Sequence, residues 1–425
     1  MEKLKVMSLF SGIGAFEAAL RNIGAEFEVV GFSEIDKYAI KSYCAIHNVD
    51  ESLNYGDVSK IEKVKLPDFD ILVGGSPCQS FSVAGQRKGF EDTRGTLFFQ
   101  YIETLKEKQP KYFVFENVKG LINHDKGNTL NIMASAFSEV GYRIDMELLN
   151  SKYFNVPQNR ERIFIVGIRE DIIENCEWTV DLKRKDVLAK GKKRLKEFDL
   201  KTMIFRWPNH NEIKKVMKEI LEDFVDDKYY LSKDKTEKLV SQLEKNGGAH
   251  SFKKQEEMNR EIDPIMIGHV ELKGHEAIRR VYSPRGMSPT LTTMGGGHRE
   301  PKILLNEIPG SKSQPKISVI GTTLETGAKG TNSRHWIHEA DFNLIGTIDA
   351  TTYKQPKQIF GESTNYRIRK LTPLECWRLQ AFDDKDFEKA IGVGVSNTQL
   401  YKQAGNSITV TVLEEIFKEL LHTYK

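Results

Sequence analysis

Two chemically active side chains, a cysteine and a glutamate, each follow an apolar, strand-like run early in the chain. Asp70 to Val73 leads into the loop GGSPCQSFS, which carries Cys78, and Tyr112 to Phe115 leads into Glu116. The strands of a parallel α/β sheet end at one edge, where ligands bind, so we expect both groups to face the same ligand. An isolated cysteine is more often a small buried hydrophobe, but the Gly-Gly and Pro beside Cys78 favour an exposed, shaped loop.

A thiol and a carboxylic acid at one edge are suited to chemistry on a pyrimidine ring. Carbon-5 of cytosine is inert until a nucleophile adds to carbon-6, and this addition is easier when an acid holds or protonates ring nitrogen N3. Cys78 and Glu116 supply these two functions, and the reaction needs no metal. Arg160 and Arg162 precede another strand-like run, Ile163 to Ile168, and are candidates for binding the cytosine carbonyl and lowering the thiol pKa.

A glycine-containing loop after the first strand-like run, Leu4 to Phe10, indicates a cofactor of the nucleotide type. Gly12 and Gly14 allow the backbone to approach a ligand closely at the end of a strand. The third glycine of dinucleotide-binding loops is absent because Glu17 occupies its place, so a pyrophosphate on the helix N-terminus is disfavoured. The loop therefore favours S-adenosylmethionine over NAD.

Acidic residues at the ends of the next two strands support the same cofactor. Glu34 and Asp36 end the second strand-like run, about 20 residues after the glycines, where an acid accepts the ribose hydroxyl hydrogens. Asp57 follows the third strand and could accept a hydrogen bond from the adenine amino group. An acid at such a position equally often caps a helix, so the role of Asp57 is open between these two.

Composition excludes several classes of protein. With 425 residues and 39% hydrophobic content, the chain can bury a full core and has room for two domains. Its four cysteines are scattered without a CxxC pair, which argues against a disulfide framework and against a zinc site.

We expect a cytoplasmic protein, since no apolar run reaches the roughly 20 residues of a membrane span and the N-terminus does not resemble a signal peptide. The net charge of +3 is too small to indicate nucleic-acid binding by itself. The basic run 183–196 is equally consistent with a phosphate-binding surface and with a solvated helix.

The order of the apolar runs predicts the fold class. Over the first 170 residues or so, short strand-like runs alternate with helix-length segments, which predicts an α/β fold with a doubly wound, mostly parallel, Rossmann-like sheet. Residues 176–364 have no regular helix spacing and predict a second, smaller domain of β or irregular structure. We therefore predict a catalytic and cofactor-binding domain over 1–175, completed by 395–425, with 365–394 as the connection back to it.

Part of this second domain resembles another part of it. Residues 267–303 and 320–359 share short matches that need small gaps to align. A duplicated recognition unit would explain this similarity, and so would chance in sequence that is rich in glycine and threonine.

Seven segments resemble, in order and spacing, motifs of the bacterial cytosine-5 DNA methyltransferases of restriction-modification type. They are FSGIGAFE (Phe10 to Glu17), GGSPCQSFS (Gly74 to Ser82), RGTLF (Arg94 to Phe98), FENV (Phe115 to Val118), QNRERIF (Gln158 to Phe164), RKLTPLECWRLQAF (Arg369 to Phe382) and QAGNS (Gln403 to Ser407). The combination of Pro-Cys-Gln, Glu-Asn-Val and Gln-x-Arg-x-Arg is highly specific. The similarity covers both ends of the chain and leaves the middle variable. Ser11 and Ala15 depart from the usual Ala and Gly of the family, but both are small and put neither cofactor nor reaction in doubt.

The resemblance implies a DNA (cytosine-5) methyltransferase that uses S-adenosylmethionine and no metal, on a cytosine flipped out of duplex DNA. Cys78 looks like the nucleophile, and Glu116 would engage N3 and the exocyclic amine. Arg160 and Arg162 would orient the base and the catalytic loop. The residues that would line the cofactor pocket are Phe10, Gly12, Ile13, Gly14, Glu34, Ile35, Asp57, Pro77, Leu97, Asn406 and Ser407.

By the same resemblance, residues 176–364 form the target-recognition domain. The candidates for DNA contact, in this region and in the cysteine loop, are Gln79, Ser82, Arg279, Arg280, His298 and Arg299. Gln79 would enter the space left by the flipped base, and Arg299 or His298 could read guanine. The alternative, that these recognition loops only pack or touch phosphate, is equally good.

Three other classes of protein compete with this interpretation. A tRNA cytosine methyltransferase shares the catalytic frame but has a short middle domain. A catalytically silent DNA-binding regulator would not need Cys78 and Glu116, and a dinucleotide oxidoreductase would need the missing third glycine. We expect a monomer that acts on double-stranded DNA and protects it from a restriction endonuclease to which it is not physically bound. The recognition sequence, the existence of such an endonuclease, a second specificity from the repeat and the oligomeric state stay open.

Overall fold

The computed structural model of the chain describes residues 3–77, 97–174, 176, 178, 185–245, 263–294, 298–307, 317–318 and 365–423. Three of the predicted site residues, Cys78, Gln79 and Ser82, lie outside the described residues. So does 320–359, the second part of the proposed repeat. The chain divides into a first unit, Met1–Lys215 with Pro289–Arg299 and Pro373–Lys425, and a second unit, Val216–Ser288 with Glu300–Thr372.

The first unit contains a sheet in which the described residues form six strands. These are β1 (Leu4–Leu9), β2 (Phe27–Ser33), β3 (Ile71–Gly74), β4 (Tyr112–Val118), β5 (Tyr142–Asn150) and β6 (Glu161–Arg169). They lie in the order β2-β1-β3-β4-β6-β5. The neighbours among β1 to β4 pair in parallel, whereas β6 is antiparallel to both β4 and β5. The predicted α/β fold with a mostly parallel sheet is confirmed.

The described residues also form ten α-helices. They are α1 (Ala15–Asn22), α2 (Lys37–His47), α3 (Leu97–Lys108), α4 (Asn128–Glu139), α5 (Val187–Leu195), α6 (Lys233–Lys245), α7 (Pro373–Arg378), α8 (Asp384–Gly392), α9 (Asn397–Asn406) and α10 (Val410–Thr423). All except α6 belong to the first unit. Over the described part of the chain, none of these helices is both long and apolar enough to cross a membrane.

Aromatic side chains hold the sheet of the first unit to its helices. Phe113 of β4 stacks on Phe137 of α4 with ring centroids 4.4 Å apart. Tyr101 of α3 packs edge-on against Phe115, and its buried hydroxyl donates to the carbonyl of Leu72 at 3.1 Å, which satisfies the polar group inside the core. These contacts fix β3 and β4, the two strands whose ends carry the predicted catalytic residues.

The second unit is built on a smaller sheet. Its described strands are β7 (Met266–His269), β8 (Arg280–Tyr282), β9 (Lys302–Glu307), β10 (Ile317–Ser318) and β11 (Asn365–Lys370). They follow the order β10-β9-β8-β7, with β11 also paired to β9. Leu239 of α6 packs with Val270, Val281, Leu304 and Ile368 in a small apolar core. The described residues form the expected β-sheet, but residues 176–364 also contain the helices α5 and α6, which the sequence pattern did not predict. The predicted domain limits stay a prediction.

Lys302 is a buried basic residue inside the second unit, with only 1% of its surface exposed. Its ammonium group donates to the carbonyls of Ile278 at 2.8 Å and Glu300 at 3.0 Å. Burial lowers the pKa of Lys302 to about 8, because a charged amine loses its hydration there.

A first prediction concerns Gly14, which lies at the N-terminus of α1 with φ +81°. A Cβ atom there would overlap the His47 ring, whereas Gly394, with φ +79°, has nothing within 4 Å of a Cβ. Gly394→Ala should cost about 1–2 kcal/mol for the left-handed backbone alone. Gly14→Ala should cost about 1–3 kcal/mol more for the overlap, measured by urea unfolding. Equal losses in the two variants would show that the His47 contact is unimportant.

A second prediction concerns the alkaline stability of the second unit. Between pH 8 and the unfolded-state pKa near 10.5, the unfolded chain holds a proton on Lys302 that the folded chain has released. The contribution of Lys302 to stability is therefore lowest below pH 8 and rises with pH through this window, by about 3 kcal/mol in total. The unfolding free energy of Lys302→Met, which keeps the length of the side chain without the amine, should lack this rise, so the difference in unfolding free energy between wild type and variant should grow with pH through this window. Parallel pH curves for wild type and variant would contradict the prediction.

Candidate active site

The loops that carry the predicted cofactor and catalytic residues begin side by side at one edge of the sheet. Leu9 at the end of β1 pairs with Gly74 at the end of β3, and Gly74 pairs with Phe115 of β4. The approach of β1 to β3 is close, because a Cβ at position 74 would overlap the carbonyl oxygen of Leu9. The segments 10–14 and 75–77 therefore leave neighbouring strands together, beside residues 116–118 at the end of β4.

The loop after β1 is shaped by left-handed backbone angles and by Glu34. Phe10 has φ +56°, and Gly12 has φ +57° with nothing within 4 Å of where a Cβ would lie. The Gly12 N–H donates to Glu34 Oε2 at 2.9 Å, while Oε1 accepts from the N–H groups of Ile35 and Asp36 at 2.8 Å. The carboxylate thus fixes the loop against the end of β2 and leaves open space beside Gly12.

The other two acids of this region act as helix caps. Asp36 accepts from the N–H groups of Tyr38 and Ala39 at the start of α2 and forms an ion pair with Lys402. Asp57 accepts from the N–H and hydroxyl of Ser59 at 3.0 and 2.7 Å, and these hydrogen bonds hold its pKa below the usual range. The contacts of Asp57 are those of a helix cap, which is one of the two roles that the sequence left open. A role towards adenine stays a prediction.

Several predicted cofactor residues present surface at this edge. Ile35 has 76% of its surface exposed, which is unusual for a large apolar side chain and suits contact with a flat ring. Pro77 is also exposed, Leu97 is half-buried, and Ile13 is buried. Ile13 offers its carbonyl to His47 Nε2 at 3.0 Å. His47 carried no recognisable signal in the sequence, since a lone histidine on a helix is more often structural.

Glu116 is withdrawn from water and paired with one arginine. Its side chain is 12% exposed, that of Arg162 is 16% exposed, and Arg162 Nε lies 3.0 Å from Glu116 Oε1. Burial raises the pKa of Glu116, and the positive charges of Arg162 and Arg160 oppose that rise. A Cβ at Gly75 would lie 2.9 Å from Glu116 Oε2, so only glycine leaves the carboxyl group in place. Glu116 is therefore an acid with a tendency to keep its proton, next to the start of the cysteine loop.

Asn117 ties the start of that loop to β4. Its buried side-chain amide donates to the carbonyl of Ser76 at 2.9 Å, two residues before Cys78. Its Oδ1 accepts from the N–H of Val118 at 2.9 Å, which fixes the orientation of the amide. The loop therefore leaves the sheet in a direction set by the residue next to Glu116.

Arg160, in contrast to Arg162, is directed at main-chain carbonyls. Only 3% of its surface is exposed, and its guanidinium donates to the carbonyls of Leu291 at 3.0 Å, Gly405 at 3.4 Å and Ser407 at 2.8 Å. Burial, together with the charge of Arg162, lowers the pKa of Arg160 to about 9. A direct role of Arg160 towards the base stays a prediction.

The predicted DNA-contacting residues fall in both units. Arg279 is exposed in the second unit, where the neighbouring Arg280 pairs with Glu276 at 3.2 Å. His298, with φ +61°, and Arg299 are exposed and belong to the first unit. Their contacts with DNA stay a prediction.

The segment Pro289–Met294, which we call the docked segment, lies in the part of the chain predicted to form the target-recognition domain and packs within the first unit. Its contact with DNA stays a prediction. The Thr290 hydroxyl donates to the carbonyl of Asn159 at 2.5 Å, and the Leu291 N–H donates to Gln158 Oε1 at 3.1 Å. The Thr293 hydroxyl donates to Asn406 Oδ1 at 3.0 Å. Nothing in its residue types predicted this position, because several of the bonds are made by main-chain atoms.

A mostly parallel sheet with a glycine loop, a strand-end acid and a buried Glu–Arg pair at one edge defines the class of the protein as an S-adenosylmethionine-dependent methyltransferase. The family model for C-5 cytosine-specific DNA methylases matches residues 4–422. The chain belongs to this family and is a DNA (cytosine-5) methyltransferase. The resemblance seen in the seven motifs is confirmed.

Relatives of this chain are phage and bacterial methyltransferases. An orphan methyltransferase of Bacillus phage rho11s is 58% identical over 503 aligned positions, which include 100% of this chain and 99% of the relative. An orphan methyltransferase of Bacillus phage SPR is 57% identical with the same coverage. A type II methyltransferase of Lactococcus lactis subsp. cremoris is 30% identical, over 99% of this chain and 78% of the relative.

Solved structures share the fold at low sequence identity. The Dnmt2 methyltransferase of S. pombe matches with a TM-score of 0.55 and 16% identity, over 99% of both chains. A methyltransferase of Entamoeba histolytica matches with a TM-score of 0.57 and 14% identity, over 100% of both chains. At this level of identity the match supports the fold alone.

A third prediction tests the contact between Asn117 and the cysteine loop. Asn117→Asp keeps the acceptor for Val118 but removes the donor and places a carboxylate oxygen against the Ser76 carbonyl. We expect a loss of about 1–3 kcal/mol in stability, the cost of an unsatisfied buried group. We also expect the methylation rate to fall by about tenfold or more, because the loop start is displaced. Asn211→Asp, at an exposed residue of the first unit, is the matched control and should leave both quantities unchanged. An Asn117→Asp enzyme with the wild-type rate would contradict the prediction.

Proposed function

We propose that this methyltransferase adds a methyl group to carbon-5 of a cytosine flipped out of a specific duplex DNA sequence, through a covalent adduct with Cys78. The observation that carries the proposal is the mostly buried Glu116, paired with Arg162 beside Gly75 at the start of the loop that holds Cys78. An acid of this kind is what nucleophilic addition to a pyrimidine requires.

The residues at the end of β1 and β2 fit S-adenosylmethionine. Open space beside Gly12, the exposed Ile35 and the Glu34 carboxylate offer backbone, apolar surface and a hydrogen-bond acceptor for a nucleoside. The hydroxyl of Ser11 is buried in the same loop without a hydrogen-bond partner among the described residues. The residues proposed to hold the cofactor are Phe10, Gly12, Ile13, Gly14, Glu34, Ile35, Asp57, Pro77, Leu97, Asn406 and Ser407. When bound, S-adenosylmethionine supplies an electrophilic methyl group on a sulfonium.

The proposed reaction uses the side chains of the chain in a fixed order. The thiolate of Cys78 forms a bond to carbon-6 of cytosine, and the proton of Glu116 moves to N3, so that carbon-5 becomes nucleophilic. Carbon-5 takes up the methyl group, and the remaining product is S-adenosylhomocysteine. A base then removes the proton from carbon-5, the bond between carbon-6 and sulfur breaks, and the N3 proton returns to Glu116. Arg162 holds the Glu116 carboxyl group throughout.

The raised pKa of Glu116 supports its role as the acid. A carboxyl group with its ordinary pKa of 4.5 would be almost fully ionised near neutral pH. Because burial raises this pKa, a larger fraction of Glu116 keeps its proton, and that fraction falls as the pH rises through the shifted value.

Recognition of duplex DNA is assigned to the middle of the chain. A base inside a duplex hides carbon-6, so the target must leave the stack at a cost of a few kcal/mol. We propose that residues 176–364 select the sequence, with Arg279, Arg280, His298 and Arg299 among the contacts, and that Gln79 and Ser82 act at the flipped site. The enzyme would work as a monomer, since it modifies one base at a time.

We further propose that the modification protects DNA from a restriction endonuclease that cuts the same sequence. Relatives at 57–58% identity are named orphan methyltransferases of Bacillus phages, and a relative at 30% is named a type II methyltransferase. The phage relatives favour an enzyme that acts without a physically bound endonuclease.

A fourth prediction tests the reaction and the substrate together. Purified protein with tritiated S-adenosylmethionine should label cytosine in mixed-sequence duplex DNA and leave total tRNA unlabelled, and bisulfite mapping should reveal the site. Cys78→Ala should abolish labelling, and Glu116→Gln should slow it by about 10²–10⁴-fold. Cys176→Ala, at an exposed cysteine, is the matched control and should keep the wild-type rate.

The covalent adduct is tested on the mapped site with 5-fluorocytosine, which has no carbon-5 proton to release. The wild-type enzyme should form a denaturation-resistant complex with this duplex, and Cys78→Ala should not. Labelling of tRNA alone would overturn the DNA substrate, and full activity of Cys78→Ala would overturn the nucleophile.

A further inference from the structure

The docked segment is attached to the first unit along its length, although the chain before residue 289 and after residue 299 belongs to the second unit. Thr290 and Leu291 bond to Asn159 and Gln158, which precede β6. The side-chain amide of Gln158 also donates to the carbonyl of Leu379 at 2.8 Å, so the acceptor for Leu291 is itself held in place. The docked segment is therefore held against the catalytic unit by oriented groups.

The chain before the docked segment and the chain after residue 299 are anchored within the second unit. Before it, the N–H of Ser283 donates to the carbonyl of Ile265 at 2.9 Å, and Ser288 is fully buried. After it, Lys302 bonds to the carbonyls of Ile278 and Glu300. The docked segment is thus preceded by chain of the second unit and, after residue 299, followed by chain of the second unit.

The docked segment also contacts the C-terminal end of α9, Gly405–Ser407, which we call the cofactor turn because Asn406 and Ser407 are proposed cofactor residues. Thr293 donates to the side chain of Asn406, and a Cβ at Gly405 would overlap the carbonyl oxygen of Thr292. Arg160 joins the two directly, since one guanidinium donates to Leu291 in the docked segment and to Gly405 and Ser407 in the cofactor turn.

We propose that the docked segment couples DNA recognition to cofactor binding, with Arg160 and Thr293 as the positioning residues that carry the coupling. A buried guanidinium that loses one of its carbonyl partners is left with an unsatisfied charge, so the docked segment and the cofactor turn keep one relative position. A ligand that orders one of them therefore favours binding at the other, and the effect is reciprocal. This inference rests on the proposed function, which assigns DNA recognition to residues 176–364 and places two of the cofactor residues in the turn.

The test measures the affinity for S-adenosylhomocysteine by calorimetry, with and without a duplex that carries the mapped site. The ratio of the two dissociation constants is the coupling factor. Arg160→Lys keeps the positive charge near Glu116 but has a single nitrogen for three carbonyls, and Thr293→Val removes only a hydroxyl from an exposed residue. Thr398→Val is the matched control, because Thr398 is exposed at the other end of α9 from Asn406.

Wild type and Thr398→Val should show the same coupling factor, of about five or more. Arg160→Lys and Thr293→Val should lower it about fivefold, roughly the value of one neutral hydrogen bond. A purely structural role would weaken S-adenosylhomocysteine binding equally with and without duplex, and a coupling factor unchanged in both variants would overturn the inference. A wild-type factor of one would also overturn it. If Arg160→Lys fails to fold, Thr293→Val decides alone. These results can be told apart from a failure of the proposed function, in which the wild-type enzyme would bind no S-adenosylhomocysteine or would label no DNA.

Discussion

The proposed active site, at the sheet edge where β1, β3 and β4 end, depends on one constraint. The Glu116 carboxyl group must be shielded from water and still keep its ion pair with Arg162. Burial alone would leave an ionised Glu116 with an uncompensated charge, and exposure alone would leave it ionised at neutral pH. Arg162 at 3.0 Å and the nearby charge of Arg160 balance the burial. Gly75 has no side chain because its Cβ would occupy the space that the Glu116 carboxyl group needs.

The pairing of β4 with β6 produces this balance. Val118 lies opposite Arg162 in the antiparallel register, which brings the arginine to the end of β4 where Glu116 emerges. The two arginines of one short motif therefore make different contacts. Arg162 forms an ion pair with Glu116, whereas Arg160 donates hydrogen bonds to main-chain carbonyls of the docked segment and the cofactor turn. The acid and the cofactor turn are thereby supported from the same stretch of chain.

Much of the edge could be predicted from sequence because it follows from local patterns. Short apolar runs predicted the strands, and parallel neighbours necessarily bring the ends of β3 and β4 together. The glycines and Glu34 at the next strand ends were likewise identifiable by type and spacing. Asp57 was ambiguous, because one residue type both caps helices and binds ligands, and its contacts in the folded chain are those of a cap.

The sequence by itself determined the fold class, the family and the residues available for chemistry, since all three depend on residue types at short, regular spacings. Only the tertiary structure decided that Glu116 is buried against Arg162, that Arg160 bonds to carbonyls, and that the docked segment lies in the first unit. These features depend on main-chain carbonyls, such as those of Leu291 and Ser407, that come from distant parts of the chain. Every residue has such a carbonyl, so no pattern of side chains marks which ones a buried guanidinium will meet.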